Sequence, residues 1–247
     1  MEFVKEVNGH LCRAQFADSA IADICLPLLR KLTVIQKKKD RRILAFLAAP
    51  PGAGKTTLSL FLQELSEKEE DITPLQAVGM DGFHYRQEYL QTHFTEQNGT
   101  SVSLAAIKGA PATFDLPSFT RYIQTLAEGE TCRWPEYSRR IHDPIENAVA
   151  ISRDIVLIEG NYLLLDYPGW RELKQYADYT VFMEAEEEDV RARLIERKQA
   201  GGVSREKAAA HVEQSDLPNA RLCMEHRLPA DFTLKISSIN PPDEGNR

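Results

Sequence analysis

Residues 49–56 read APPGAGKT, a glycine-rich stretch that ends in a lysine and a hydroxyl side chain. This is the Walker A pattern, with Ala49 where the first glycine usually stands. Backbone N–H groups can turn inward in such a loop because glycine has no Cβ, and the helix that follows adds a positive dipole end. The chemistry that matches these donors is phosphate binding. We predict that a nucleoside triphosphate is held by Pro51, Gly52, Ala53, Gly54, Lys55, Thr56 and Thr57.

Two of these side chains have specific expected roles. Lys55 is predicted to reach the β- and γ-phosphates, and the Thr56 hydroxyl to bind a magnesium ion. The alternative is a glycine-rich turn in an ordinary βα unit with Lys55 in solvent. The apolar run before the loop and the amphipathic stretch after it favour the phosphate site.

Two acidic residues close other apolar runs. Asp81 lies in M-D-G-F-H at 80–84, and Glu159 lies in V-L-I-E-G-N-Y at 156–162. Ligands of α/β sheets bind at the carboxyl ends of the strands, where Asp81 can accept the proton of an attacking alcohol. A charge such as Glu159 at the tip of a buried strand is costly unless a cation offsets it. A turn-forming role for Asp81 and a solvent-exposed Glu159 are the alternatives.

The loop and these two motifs together resemble the phosphoribulokinase/uridine kinase family of P-loop kinases, which also includes bacterial pantothenate kinase. The resemblance runs from about residue 43 to about residue 227, and uncharacterised bacterial nucleoside- or sugar-kinase-like members are the most similar. It implies that Asp81 is the general base and that Glu159 is the acidic Walker B residue that binds magnesium.

The segments K-G-A-P-A-T-F-D at 108–115 and W-P-E-Y-S-R-R-I-H-D-P at 134–144 mix aromatic and ionisable residues, as pockets for small polar molecules do. Each residue taken singly is more often a surface or packing residue. Tyr137 and His142 resemble the pair that uridine kinases use against the base, yet Gly109 stands where those enzymes carry a ribose-binding carboxylate. K-G-x-P resembles pantothenate kinase instead. The predicted substrate-binding residues are Asp81, His84, Lys108, Phe114, Asp115, Tyr137, Arg139 and His142.

A charged segment from residue 186 to residue 202 is predicted to form a helix that ends at two glycines. Arg193 and Arg197 are four residues apart and so share one helix face. The segment resembles the mobile lid of P-loop kinases, which implies a catalytic role for both arginines beside Lys55 and Asp81. A charged helix face with ordinary ion pairs is the alternative. Residues 215–219 predict a further helix start, and Asn219 is expected near adenine on the resemblance alone.

The elements that must position these residues follow from short apolar runs at 43–49, 75–80, 155–158, 179–183 and 232–236, separated mostly by helical stretches. This alternation predicts an α/β fold of three layers, α/β/α, with a mostly parallel sheet. We expect a β-ribbon that turns at Asn8-Gly9 and a helix within 1–40. A kinase domain is expected over 41–240, with a substrate-side insertion at about 85–150 and a helical lid at about 190–216. Residues 241–247 are expected to form a flexible tail.

The composition excludes other classes. The 247 residues carry 30 Lys plus Arg against 37 Asp plus Glu, a formal charge of -7, which disfavours binding to nucleic acid or to anionic membranes. No signal-peptide or membrane-spanning stretch is found, so a cytoplasmic location is expected. The oligomeric state stays open.

The sequence therefore predicts a kinase that uses ATP and Mg²⁺ to phosphorylate a hydroxyl of a small metabolite. A sugar or sugar-like polyol is slightly favoured as acceptor, with nucleosides and pantothenate-like alcohols left open. The alternative is a P-loop ATPase or a nucleotide-binding regulator without an acceptor. A GTPase-like switch is disfavoured, because it requires a guanine-reading N-K-x-D motif and no Asn in this sequence is followed by Lys.

Overall fold

The computed structural model of the chain describes residues 1–7, 10–97 and 99–239. The strands in chain order are β1 (Glu2–Val7), β2 (His10–Gln15), β3 (Ile43–Ala48), β4 (Leu75–Gly79), β5 (Phe94–Gln97), β6 (Thr100–Ser103), β7 (Arg133–Ser138), β8 (Asp143–Ala150), β9 (Ile155–Gly160), β10 (Tyr179–Glu184) and β11 (Phe232–Lys235). The α-helices are α1 (Asp18–Ala20), α2 (Leu26–Lys39), α3 (Lys55–Lys68), α4 (Gln87–Thr92), α5 (Leu116–Ala127), α6 (Glu187–Ala200), α7 (Arg205–His211), α8 (Leu217–Glu225) and α9 (Ile236–Ile239).

The central sheet has five parallel strands in the order β11-β10-β3-β9-β4. All five are the strands that the apolar runs predict. From β3 the chain passes to β4 and β9 on one side, and then to β10 and β11 on the other. The order therefore reverses at β3, and the crevice at the carboxyl end of this strand is where such folds bind ligands.

Helices cover both faces of the sheet, which confirms the predicted three layers. Along β3 the side chains alternate between two cores, since successive residues of a strand point to opposite faces. Ile43, Ala45 and Leu47 pack with α2 and α3 on one face. Leu44, Phe46 and Ala48 pack with α5 and α8 on the other.

The N-terminal ribbon packs on α3, the helix that follows the glycine-rich loop. Strands β1 and β2 pair antiparallel, and the predicted turn at Asn8-Gly9 lies outside the described residues. The rings of Phe16 and Phe61 are stacked with centroids 3.9 Å apart, and Phe3 meets Phe61 edge-on at 5.8 Å. Such aromatic contacts contribute about 0.5–1.5 kcal/mol each beyond the buried area. The ribbon is thus fixed to α3.

The helix expected within residues 1–40 begins as α1 at Asp18. Helix α1 runs into a π-helical turn at Ile21–Cys25 and then into α2, where Pro27 occupies the first turn. Because the helix is continuous here, Pro27 removes one helical hydrogen bond, and the π-helical turn directly before it is where the helix accommodates the proline ring.

The segment between β4 and β9 contains two antiparallel hairpins, β5–β6 and β7–β8, together with α4 and α5. Sequence periodicity predicted none of these four elements. The β7–β8 hairpin is anchored to the sheet by Trp134, whose indole Nε1 donates to the Gly79 carbonyl at 2.8 Å. This contact places the hairpin beside the end of β4.

The outer edge of β4 is closed by side chains. The Leu75 N–H donates to Ser66 Oγ at 3.0 Å, and the Ala77 N–H donates to Gln63 Oε1 at 2.8 Å. Unpaired edge strands invite pairing with other chains, so these caps from α3 protect the sheet.

The predicted lid segment is helical and has a small core of its own. Val190 and Leu194 of α6 pack with Val212, Leu217 and Ala220. Helix α8 begins at Leu217, within the start predicted at 215–219, but the chain enters it directly from a π-helical turn at Val212–Asp216 and without a side-chain cap. The domain boundaries stay predictions.

Among the helices of residues 1–7, 10–97 and 99–239, none has the length and apolar character needed to cross a bilayer.

Candidate functional site

The glycine-rich loop connects β3 to α3 at the point where the strand order reverses. Gly52 and Gly54 have φ angles of +79° and +87°, a region that other residues rarely adopt. Gly54 directly precedes Lys55, the first residue of α3. The free N–H groups of a 14-residue helix therefore face the crevice, as anion binding requires.

The Thr56 hydroxyl donates a hydrogen bond to Glu159 Oε1 at 2.7 Å. Thr56 lies in the first turn of α3, and Glu159 lies in β9, where it pairs with Leu47 on one side and with Gly79 on the other. The absence of a side chain at Gly79 leaves room for the carboxylate, since a Cβ there would lie 3.1 Å from Glu159 Oε1.

Glu159 is 6% exposed, and burial raises the pKa of its carboxyl. The nearby charge of Asp81 acts in the same direction, whereas Lys55 and the Thr56 hydrogen bond oppose it. A buried carboxylate with a raised pKa is stabilised by a cation. The described residues contain no group of three or more His, Cys, Asp or Glu side chains that could hold a metal alone. Mg²⁺ is usually bound by one or two protein oxygens, and phosphate oxygens and water molecules complete its coordination.

Asp81 lies in a 3₁₀ turn at Met80–Phe83, directly after β4. Burial alone would raise the pKa of its carboxyl, but surrounding positive charge outweighs burial and holds that pKa below its usual value. The contributing groups are His84 in its protonated form, Lys55, Arg139 and Arg197. Asp81 is therefore ionised at neutral pH and lies within the electrostatic reach of the phosphate-loop lysine.

Close backbone packing fixes the Asp81 turn. A Cβ on Gly82 would lie 2.2 Å from the Pro135 carbonyl oxygen, so the turn and strand β7 approach more closely than any side chain permits. Together with the indole of Trp134, this contact sets the Asp81 turn against the β7–β8 hairpin.

His84 lies beside Asp81 and is enclosed by aromatic rings. Its Nδ1 is 2.9 Å from the Asp81 carbonyl oxygen, and its ring centroid is 3.9 Å from that of Phe114 and 5.3 Å from that of Tyr137. Burial lowers the pKa of the His84 imidazole, although Asp81 opposes the shift. A neutral imidazole can both donate and accept a hydrogen bond.

Three further predicted residues are brought together near Asp81. The Lys108 ammonium lies 5.2 Å from the Tyr137 ring centroid and donates to Gln87 Oε1 at 2.9 Å and to the His142 carbonyl at 3.1 Å. Burial raises the pKa of the Tyr137 phenol to about 12, and Asp143 and Asp81 add to the shift. The positive charge of Arg139 acts to lower the pKa of both the Asp81 and the Glu159 carboxyl. These side chains surround the space in front of the carboxylate.

Three other predicted substrate-binding residues are placed differently. His142 is exposed at the tip of the β7–β8 hairpin with a φ of +57°. Phe114 is buried behind His84, against Tyr162 and Trp170. Asp115 caps α5, accepting from the Ser118 N–H at 3.0 Å. Phe114 and Asp115 therefore have structural roles, and the predicted contacts of all three with a substrate stay predictions.

The two predicted lid arginines differ in position along α6. Arg193 lines a cavity beside Gly52 and Gly54. Arg197 lies among the charges of the Asp81 side, where desolvation by the surrounding protein lowers the pKa of its guanidinium and Arg139 acts in the same direction. Leu194, between them, packs so closely on the loop that a Cβ on Gly52 would lie 2.8 Å from its Cγ. The lid helix therefore rests on the glycine-rich loop.

Asn219 is not brought to the cavity beside Gly52. Its Nδ2 lies 3.7 Å from where a Cβ on Gly109 would stand, so it lies beside the insertion, and its contact with adenine stays a prediction. Gly109 is also held by Tyr162, whose hydroxyl donates to its carbonyl at 2.6 Å. Tyr162 is part of the motif at 156–162, but the sequence did not single it out as a site residue. Its position three residues after Glu159, just beyond the end of β9, was the available signal.

Comparisons with known proteins place the chain in a family. A sequence model of the phosphoribulokinase / uridine kinase family matches residues 44–227. The uncharacterized protein YggC of Escherichia coli K12 is 38% identical over 238 residues, which cover 96% of each chain. The putative uridine kinase C227.14 of Schizosaccharomyces pombe is 27% identical over 80% of this chain and 85% of its own. A crystal structure of a putative fructose transport system kinase from Silicibacter sp. TM1040 superimposes with a TM-score of 0.74 and 34% identity, covering 84% of this chain and 98% of that one.

The chain belongs to the phosphoribulokinase / uridine kinase family, as its three motifs predict. It is a P-loop kinase by fold and family, and its Walker A sequence spans residues 49–56.

Proposed function

We propose that the protein transfers the γ-phosphate of MgATP to a hydroxyl group of a small metabolite. The observation that supports this most is the placement of the ionised Asp81 near Lys55 and across from the Thr56–Glu159 pair. One side of this space has the donors for a triphosphate, and the other has a carboxylate that can orient an alcohol and accept its proton.

The proposed roles divide between the two sides. Lys55 and the loop amides hold the phosphates, and Thr56 and Glu159 would hold Mg²⁺, which offsets charge on the β- and γ-phosphates when it is bound. Arg197 faces the transferring phosphate and stabilises the charge that develops on it.

The acceptor is expected between Asp81, His84, Tyr137 and Arg139. In the described part of the chain the Arg139 guanidinium has no hydrogen bond or ion pair, so its donors are available to an acceptor oxygen. The exposed His142 weakens the likeness to a nucleoside site. A sugar or sugar-like polyol is our preferred acceptor, and the similarity to the Silicibacter protein, a putative fructose transport system kinase, supports this choice.

The test is an ADP-release assay with purified protein, MgATP and a panel of sugars, polyols, nucleosides and pantothenate. ADP is expected only with an acceptor, and mass spectrometry should find the phosphorylated product. Steady ADP release in water alone, unchanged by every acceptor, would instead support the ATPase alternative.

Two variants separate the roles of the residues. Asp81→Asn should reduce transfer by about 10²–10⁴-fold with little change in ATP affinity, because it removes the proton acceptor alone. Lys55→Ala should reduce turnover by about 100-fold or more and also weaken ATP binding. An equal loss of ATP affinity in both variants would contradict this division.

A further inference from the structure

The cavity that Arg193 lines lies on the opposite side of the glycine-rich loop from Asp81. It has a volume of about 190 Å³ and borders the loop and the first turn of α3. Asp81 follows β4, at one end of the sheet, whereas this cavity borders Met183 of β10 and Ile236 and Ile239 of α9, at the other. The crevice at β3 therefore has Asp81 at its β4 end and this cavity at its β10–β11 end.

The orientation of a bound triphosphate decides what this cavity holds. If the γ-phosphate lies near Asp81 and the Thr56–Glu159 pair, the phosphate chain runs along the loop toward β10 and β11. The nucleoside end must then emerge beside Gly52 and Gly54, where the cavity begins. A planar base with polar edges fits such a site, because the walls combine apolar side chains such as Leu58, Met183 and Ile236 with polar groups.

One wall of the cavity comes from the N-terminal ribbon. Arg13 and Ala14 of β2 line the cavity together with the loop, and so does Phe16, the residue that follows β2. Phe16 is 3% exposed and stacked on Phe61 of α3, and its carbonyl accepts from the N-terminal ammonium of Met1 at 2.7 Å. The ribbon is thus attached to the same helix whose first turn faces the phosphates.

The ribbon lies outside the part of the chain that the family model matches, which is residues 44–227. We propose that it completes the nucleobase site, with the Arg13 guanidinium lying against the base of ATP. This inference rests on the proposed use of ATP. The planar, delocalised guanidinium of arginine stacks on aromatic faces, whereas the ammonium of lysine is a compact and strongly hydrated charge.

The test compares two ligands that share the phosphate chain. ATP and inorganic tripolyphosphate, both with Mg²⁺, are titrated calorimetrically into the wild-type protein and its variants. The wild type should bind ATP more tightly than tripolyphosphate. Arg13→Ala should weaken ATP binding about five-fold, the scale of one partly exposed cation–π contact, and leave tripolyphosphate binding unchanged.

Lys5→Ala is the matched control. Lys5 is a cation on the partner strand β1, but it lines a different groove of about 700 Å³ beside β4. This variant should leave the affinities for both ligands unchanged. Arg13→Lys, which keeps the charge and loses the planar group, should bind ATP as weakly as Arg13→Ala. Because Arg13 is exposed, these variants should keep the melting temperature of the unliganded protein.

Several results would overturn the inference. These are unchanged ATP affinity in Arg13→Ala, equal weakening of both ligands by that variant, the same effect from Lys5→Ala, or wild-type ATP affinity in Arg13→Lys. Equal affinity of the wild type for ATP and tripolyphosphate would also overturn it. That result would not contradict the proposed phosphoryl transfer. Conversely, failure to phosphorylate any acceptor, with the Arg13 effect present, would contradict the proposed function and leave this inference standing.

Discussion

The hydroxyl of Thr56 donates to the carboxylate of Glu159 across 2.7 Å, and this hydrogen bond joins the first turn of α3 to the end of β9. Both residues are predicted magnesium ligands, and the bond shows that their oxygens can approach a common point. Lys55, the residue before Thr56, offsets part of the negative charge that Glu159 and Asp81 bring to the crevice.

Replacing Glu159 with glutamine should stabilise the metal-free protein and reduce turnover by about 100-fold or more. The folded-state pKa of Glu159 is raised, so its ionised form costs stability above that pKa, and Gln removes the cost. The gain in melting temperature without Mg²⁺ should therefore be largest at alkaline pH and shrink as the pH falls through the raised pKa. Calorimetric melting at several pH values measures this, and a lower melting temperature at pH 8 would contradict it.

Arg197→Ala should lower kcat by about 10²-fold or more with a smaller change in ATP affinity, because the Arg197 charge acts on the Asp81 side of the crevice. The matched control is Arg191→Ala on the same helix. Arg191 pairs with Glu187 at 3.4 Å and with Glu213, away from the crevice. Steady-state kinetics of the two variants measure this difference. Equal losses of kcat would mean that α6 acts through its overall charge.

Gly82→Ala should destabilise the protein by about 1–3 kcal/mol and reduce transfer, because its Cβ would lie 2.2 Å from the Pro135 carbonyl oxygen. The Asp81 turn or strand β7 must move to make room. Gly201→Ala is the control, since its Cβ would meet the Lys198 carbonyl oxygen at 3.3 Å. Urea unfolding and acceptor kinetics should show a much larger effect for Gly82→Ala. Comparable losses of stability and transfer in both variants would contradict the prediction that the close contact at Gly82 is the cause.

Asp178→Asn should destabilise the protein by about 1.5–3 kcal/mol at neutral pH, the scale of hydrogen bonds to a charged group. The carboxylate accepts from the Leu44 N–H at 2.9 Å and pairs with Lys39 and Arg41. Burial would raise the pKa of Asp178, but the hydrogen bonds from Arg41, Lys39 and Leu44 outweigh it and lower that pKa.

The pH dependence of this variant has a definite sign. A carboxyl with a lowered folded-state pKa contributes stability that is fully present above its unfolded pKa, about 3.9, and is lost as the pH falls through the folded pKa. The difference between wild type and Asp178→Asn should therefore be constant from pH 5 to pH 7 and narrow below about pH 4. Urea midpoints across this range measure it, and a difference that widened on acidification would be evidence against the proposed linkage.

The sequence alone determined the parts of this protein that depend on local pattern. A fully buried parallel strand such as β3 is a continuous apolar run, and the loop after it needs glycine at 52 and 54 because of their positive φ angles. Asp81 and Glu159 were found for the same reason, since a charge that ends an apolar run marks the carboxyl edge of the sheet. Family membership followed from the same three motifs.

Only the tertiary structure decided how the segments far apart in the chain meet. His142 and Tyr137 belong to one motif, yet the hairpin exposes the first and turns the second toward His84. Arg13 and Gly52 have no sequence pattern in common, and they border one cavity because Phe16 stacks on Phe61. Side-chain periodicity reports which face of an element is buried but not which distant element covers it, so contacts of this kind are fixed by packing.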